Sequence, residues 1–457
     1  MTADQYDIVI VGGGTAGAFA AATAADDGLD VVILERKSEE RAGEIACGDA
    51  IKGKSMFPDV IDLEYLREES FTNEGITRAM FENPETGEQI SYPFGEYTGA
   101  VVDRKRYGEV LLEEAERAGA DVHYDTVVQN VVQNDGQVEG VTATRRGSVT
   151  TYRAPVTIDA AGALSILQDK ADLGSATFDT NVNYSQFCSA YREVLSIDEP
   201  VDYDDALVFK PTAELGYLWY FPRTDTEINV GLGFQMNKEP MHLVEELRED
   251  VENRPEFQNA TVENKLGAAL PTRRPYDSAT APGYMAVGDA AAHVNPTTGG
   301  GIPGAAKAGH WAAQVAAEAI SEEDLSEDAL WEYNRRVQTD FGKRFAAMDL
   351  YNIFGSANSV DEMTDIIAKL PAQQLIDILG KSGTASMGLG TKLKTAVKTL
   401  GHWGTLYDAY KVNQMAGELK SIYEDYPETP GEFQQWRSQR DDFMDRFYDV
   451  VGAEPKY

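Results

Sequence analysis

Two glycine-rich loops stand far apart in the chain, and each carries groups able to hold a phosphorylated ligand. The first, VGGGTAG at 11–17, spaces Gly12, Gly14 and Gly17 as G-x-G-x-x-G. The first glycine permits a tight turn, the second lets backbone approach a pyrophosphate, and the third lets helix and strand pack closely. Backbone amides of Thr15 and Ala16 then sit at a helix start, where they face phosphate oxygens. Glu35, followed by Arg36, ends the next apolar run, where a carboxylate takes ribose hydroxyls. The second loop, MAVGDAAAHVNPTTGGGI at 285–302, places Gly288 and Asp289 at a strand end and opens a helix at Gly300, Gly301 and Ile302. Asp289 can bond a ribityl chain or phosphate. The positive end of the following helix can stabilise charge that develops on a ring carbonyl during reduction. Two distant contact sets fit one elongated cofactor, FAD, better than NAD.

Those residues need elements to hold them. YDIVIVGGG reads as a buried parallel strand, AGAFAAATAADDG as an alanine-rich helix closed by Gly28, and LDVVILER as the next strand. RYGEVLLEEAERAGADVHYDTVV reads as helix then strand, with Gly119 as the stop. From about 176 to 275 the pattern alternates and is rich in aromatics, as in ELGYLWYFPRTDTEINVGLGF, which suggests an antiparallel sheet. GYMAVGDAA returns to the buried-strand type, GGIPGAAKAGHWAAQVAAEAI reads as a helix, and from about 325 the pattern is mostly helical, with glycine breaks at GSANS, GKSGTASMGLG and LGHWG. The expected class is α/β. A Rossmann-like FAD-binding domain would be assembled from 1–75, 96–175 and 276–335. A sheet domain from 76–95 and 176–275 would be inserted in it, and a helical region would follow at 336–457.

The bulk composition excludes several functions. The 76 acidic residues against 40 basic give a net charge of −36, which argues against nucleic-acid binding. The acids are spread along the chain, as in EELREDVE and SEEDLSED, and read as a solvated surface suited to a high-salt cytosol. Two cysteines, Cys47 and Cys188, cannot build a disulfide framework or an iron–sulfur cluster, and no metal site is expected. No apolar run is long enough to span a bilayer, and MTADQYDIVIVGG lacks the basic region of a signal peptide. The expected location is the cytoplasm, with peripheral contact at the inner face of the membrane left open.

The pattern of V-V-D-R at 101–104, the strand HYDTVV and Asp159-Ala-Ala-Gly162 resembles the p-hydroxybenzoate-hydroxylase-like FAD proteins. That resemblance implies an FAD contact from Arg104 and a backbone contact to adenine from Val128. Three further features resemble the geranylgeranyl reductase branch. They are Ala46-Cys47-Gly48-Asp49, then Tyr217-x-Trp219-x-Phe221-Pro222 followed by Gly231-x-Gly233, and Asn295-Pro296 before the triple glycine. By this resemblance Cys47, Gly48 and Asp49 approach the flavin, and Cys47 is a candidate proton donor. Tyr217, Trp219 and Phe221 alternate and so share one strand face. With Pro222 they would line a tunnel for polyprenyl chains, with Gly231 and Gly233 leaving space opposite.

The implied activity is FAD-dependent saturation of C=C bonds in geranylgeranyl chains of archaeal ether lipids. An aromatic monooxygenase of the same fold and a non-catalytic prenyl-binding protein are the alternatives. The electron donor is open among reduced ferredoxin, a deazaflavin and NAD(P)H.

Overall fold

The computed structural model describes the chain except residues 1, 53–56, 85, 97, 213–215, 237–238 and 359–402, and the side chains of 2, 240 and 403–407. The glycine break GKSGTASMGLG and residues 400–402 of LGHWG lie outside the described residues.

Short runs of β-branched residues form a six-stranded sheet. Its order is Thr280–Ala281, Tyr284–Ala286, Val156–Asp159, Ile8–Val11, Val31–Leu34 and Asp121–His123. The five strands from Tyr284–Ala286 onward pair in parallel. Every residue of Ile8–Val11 and Val31–Leu34 is buried, as expected when helices cover both faces of a parallel sheet. Helix Thr15–Asp26 packs on helix Ile302–Ser321. Their backbones touch because Gly309 has no side chain: a Cβ there would lie 2.1 Å from the Ala16 carbonyl oxygen. The start of the first helix therefore lies against the second turn of the other.

A second, seven-stranded sheet has the order Thr261–Pro271, Phe187–Ser196, Glu227–Gln235, Gly216–Pro222, Ala206–Thr212, Arg78–Glu82 and Gln89–Pro93. Strand alternation divides its residues between two faces. Met80, Val208, Leu218, Tyr220, Val230 and Leu232 fill a core on one face, with Leu243 and Leu247 of helix Pro240–Glu252 packed on them. The registers on the other face run Pro211–Tyr217–Gly233–Ala190–Ala268 and Phe209–Trp219–Gly231–Arg192–Leu266. Two smaller sheets complete the described strands. One joins Ala50–Lys52, Gly99–Val102 and Phe71–Ile76. The other pairs Thr2–Gln5 in parallel with Ser148–Arg153, beside the hairpin Thr126–Asn134 and Gln137–Arg145.

Helices Glu327–Val337, Lys343–Ser356, Trp403–Glu424 and Phe433–Val451 follow. A π turn at Gln338–Gly342 joins the first two. They share an aromatic core that includes Trp331, Phe354, Tyr423, Phe433, Trp436 and Phe447. The last helix is fastened to the strand region by buried ions. Arg440 makes a two-point contact with Asp277, Nη2 donating to Oδ2 at 2.7 Å; Asp277 is itself held in place through its amide to Asp179, which also accepts from Arg273 at 2.6 Å.

Burial alone would raise the Asp277 pKa, but Arg440 and Arg274 outweigh it and hold the carboxyl well below its ordinary value. The stability it contributes is therefore present above the ordinary carboxylate range and lost as pH falls below it. Removing the carboxylate strands buried guanidinium charge, which costs about 3–5 kcal/mol. Asp277→Ala is expected to lower the urea midpoint by a corresponding amount at pH 7. An unchanged midpoint would show that the buried pair adds nothing.

Candidate functional site

The first glycine loop folds as its spacing requires. Gly12 has φ of +106°, and a Cβ there would lie 2.3 Å from the Ala160 carbonyl oxygen. At Gly17 a Cβ would lie 2.0 Å from the Gly12 carbonyl oxygen, so this glycine sets the helix against the turn and does not line the cavity. Glu35 is buried and accepts from the Gly13 and Lys37 amides, each at 2.9 Å. One carboxylate thus braces the loop and keeps lone pairs for a ribose. Arg104 opens helix Arg104–Ala118 after the Asp103 cap. Its Nη2 donates to Thr15 Oγ1 at 3.1 Å, while Nε and Nη1 are buried with no partner. A buried guanidinium with two idle donors fits an anionic or carbonyl-rich ligand.

The second loop meets the first. Gly288, Asp289, Gly300, Gly301 and Ile302 line the same cavity as Gly12, Gly14, Thr15, Ala16, Glu35, Arg36, Arg104 and Val128. Burial pushes the Asp289 carboxyl up to about 6, with Arg104 working against it. His293 is a buried turn residue. Its Nδ1 accepts from the Gly288 amide at 3.1 Å, and burial lowers its pKa to about 3, so it is neutral.

The cavity continues across the seven-stranded sheet. Its volume is about 2430 Å³, more than twice the roughly 300–1,000 Å³ of an ordinary small-molecule pocket. It has room for a dinucleotide and a second, long ligand. Tyr217, Trp219 and Phe221 line it as an edge-to-face and stacked series, with Phe209 and Phe81 beside them. Tyr217 donates to the Thr298 carbonyl at 2.8 Å, which ties this wall to the second glycine loop.

Three of the expected contacts fall elsewhere. Pro222 is one residue out of phase with the aromatic series, so alternation turns it to the opposite face, away from the cavity lining. Gly231 leaves no open space: the Trp219 indole fills it, and a Cβ there would lie 2.2 Å from that ring. Gly233 does line the cavity. Asp49, at φ of +66°, is buried and absent from the lining, whereas Cys47 and Gly48 belong to it.

Asp49 is instead the base of a seam. Asn229 Nδ2 donates to Asp49 Oδ2 at 2.6 Å and to the Cys47 carbonyl at 3.0 Å, and Asn229 Oδ1 accepts from the Trp219 indole at 2.8 Å. Burial pushes Asp49 up to about 6, opposed by Arg223 and Arg192. The Asp49 amide donates to Cys47 Sγ at 3.3 Å. Burial, and then the Asp49 carboxylate, push the Cys47 thiol up, so it stays protonated at neutral pH.

A family model described as FAD dependent oxidoreductase matches residues 7–169, and one described as tryptophan halogenase matches residues 100–352. The digeranylgeranylglycerophospholipid reductase of Sulfolobus acidocaldarius is 27% identical over 97% of this chain and 98% of its own length. Digeranylgeranylglycerophospholipid reductase 1 of Methanococcoides burtonii is 32% identical over 75% of this chain and 82% of its own. The chain belongs to the digeranylgeranylglycerophospholipid reductase family. A solved structure described as geranylgeranyl bacteriochlorophyll reductase-like, from Thermoplasma acidophilum, superposes with a TM-score of 0.71. It is 24% identical and covers 90% of this chain and 100% of its own. Halogenase structures share the fold at lower similarity, with a TM-score of 0.59 for a brominase. The halogenase model thus matches over a fold that this chain shares with solved halogenases. The cofactor of this family member is FAD.

Some lining residues of this family member were not singled out in the sequence. Phe81 and Phe209 reach the slot through a parallel strand pairing between distant segments, which leaves no local signature. Asn229 had a signal: it is the polar member of the same-face series Asn229-x-Gly231-x-Gly233, where a core strand would carry an apolar residue. For the cofactor end, Arg104→Met removes the two idle donors. Charge-assisted hydrogen bonds contribute about 1.5–3 kcal/mol each, so FAD affinity is expected to fall at least about tenfold. Flavin fluorescence titration of deflavinated protein checks this, and an unchanged Kd would remove Arg104 from the FAD site.

Proposed function

We propose that the protein is an FAD-dependent reductase that saturates C=C bonds in the geranylgeranyl chains of archaeal ether-lipid precursors or phospholipids. The observation that carries this reading is a continuity. The two glycine loops and the aromatic slot of Tyr217, Trp219 and Phe221 open into one cavity.

Bound in its reduced form, FAD supplies hydride chemistry. The chain's own residues would do the rest. Gly12, Gly14, Thr15, Ala16, Glu35 and Arg104 bind the dinucleotide, with Gly17 setting the helix that presents it. Asp289 and the start of helix Ile302–Ser321 hold the opposite end. The aromatic wall orients a polyisoprene chain and keeps water out. An isolated alkene has no carbonyl to take up charge, so orientation and a dry site must supply much of the catalysis. Cys47 is the proposed proton donor to the second alkene carbon. Its thiol lines the cavity, and burial keeps the proton on sulfur.

Among the described residues no helix is long and apolar enough to cross a membrane, and the proposed lipid substrate would be met by peripheral docking. Reduced ferredoxin, a deazaflavin and NAD(P)H are the candidate donor chemistries.

Dithionite-reduced protein incubated anaerobically with an unsaturated archaeal lipid is expected to raise the lipid mass in steps of two hydrogens. Oxygen consumption with NADPH and phenols, with no lipid reduction, would favour a monooxygenase instead. Cys47→Ser is expected to slow the single-turnover rate. In the unaltered protein that rate should stay level through pH 8.5, the ordinary thiol value, and fall only above it, because the thiol must be protonated and its pKa is raised. An unchanged rate in Cys47→Ser would assign the proton to another source.

A further inference from the structure

We infer that the cavity contains an anion-binding position where it meets helix Lys343–Ser356, built on Arg344 with Lys307 and Lys420 nearby, and that it takes the phosphate headgroup of the lipid. The headgroup assignment rests on the reductase reading; the anion position itself rests on the following geometry.

Arg344 lines the cavity together with Phe341, Phe345 and Phe354. Its Nε is buried with no hydrogen-bond partner. Burial holds the guanidinium below its ordinary value, with Asp340 working against that. Asp340 is already engaged, since its Oδ2 accepts from Lys307 Nζ at 2.6 Å, and Lys307 also lines the cavity. Lys420 lies on the neighbouring helix Trp403–Glu424. Burial, and then the charges of Lys343 and Arg344, lower its pKa, with Glu424 in opposition. Lys307 and Arg344 are thus cations of the cavity lining itself in a chain whose net charge is −36, whereas Lys343 and Lys420 lie outside that lining and Lys343 pairs with Glu424 at 3.1 Å.

A desolvated guanidinium with an idle donor is costly unless an anion completes it. Its planar fork matches phosphate oxygens better than a lysine does. The phenylalanines beside it define the rest of the ligand: apolar chain against the rings, anionic head on the fork. This is the pattern of a phosphorylated lipid rather than a free polar metabolite.

The test uses the holoenzyme with two substrates, a geranylgeranyl-chained phospholipid and geranylgeraniol, which bears no phosphate. Arg344→Met is expected to raise the ratio of the phospholipid KM to the geranylgeraniol KM at least tenfold, and Arg344→Lys to recover much of that loss. If both KM values rise together and the ratio stays put, Arg344 is a structural residue and the proposal fails. Equilibrium binding of the two lipids to oxidised holoprotein, read by tryptophan fluorescence, should show the same change in ratio. That arm needs no turnover, so absence of any reduction would overturn the reductase reading and leave the anion position standing. Inorganic phosphate should compete with the phospholipid in the unaltered protein and lose that effect in Arg344→Met. Phosphate binding that depends on Arg344, with phospholipid binding indifferent to it, would mark a free-anion site and overturn the headgroup assignment.

Discussion

The slot exists because Asn229 fastens a loop of one sheet system onto the face of another. Its amide reaches the Cys47 carbonyl and the Asp49 carboxylate, while its carbonyl accepts from the Trp219 indole. Asn229 is fully buried, so each of these bonds replaces water that cannot enter, and an apolar residue of the same shape would leave three polar groups unmet. The contact is tight on both sides of the seam. A Cβ on Gly48 would lie 3.0 Å from the Phe221 ring, so no larger residue fits there without moving the ring. The position of Cys47 over the cavity and the orientation of the indole are therefore set by one side chain. Displacing either would displace the other.

Burial sets the protonation pattern around the cavity. Asp49 and Asp289 are both pushed up to about 6, Cys47 is raised, and His293 is lowered to about 3, with burial the largest cause in each case. A low-dielectric cavity keeps acids, thiol and imidazole nearer their neutral forms. Arg104, Arg192 and Arg223 stand against this trend and limit it at Asp49. Away from its arginines such a site favours neutral groups. It is well suited to holding an apolar chain beside a protonated sulfur.

The fold of the first glycine loop was legible because its geometry is local. Gly12, Gly14, Gly17 and Glu35 act through short-range turns and a single helix start, so spacing alone places them. Tyr217, Trp219 and Phe221 were legible because a strand has a period of two. The same period turns Pro222 to the other face. Gly231 was read as open space because sequence shows only the missing side chain, whereas the register puts Trp219 directly opposite to fill it. Because Ala46-Cys47-Gly48-Asp49 resembles an element of the geranylgeranyl reductase branch, Asp49 was read as a flavin contact. Its left-handed backbone swings the carboxylate under the loop, toward a strand 180 residues further along. The strand Thr2–Gln5 gave no signal, because TADQ is polar and short and acquires its conformation from parallel pairing with Ser148–Arg153.

The acid-rich composition poses an electrostatic problem for any phosphorylated lipid. At physiological salt a surface charge is screened within about 8 Å, so the spread-out acids repel an anionic headgroup only at close range. Inside the cavity wall screening is weaker, and the local balance matters more than the total. There Lys307 and Arg344 line the wall, while Asp340, the acid beside them, lies outside the lining and is engaged by Lys307. The field a ligand meets on entering can thus be opposite in sign to the field of the whole molecule. A chain with net charge −36 can remain soluble in concentrated salt and still receive an anionic amphiphile, provided the cations are placed where water and counter-ions are thinned by the phenylalanines around them. This places the demand for affinity on Arg344 rather than on the surface, and it separates how the protein is dispersed from how its proposed substrate is held.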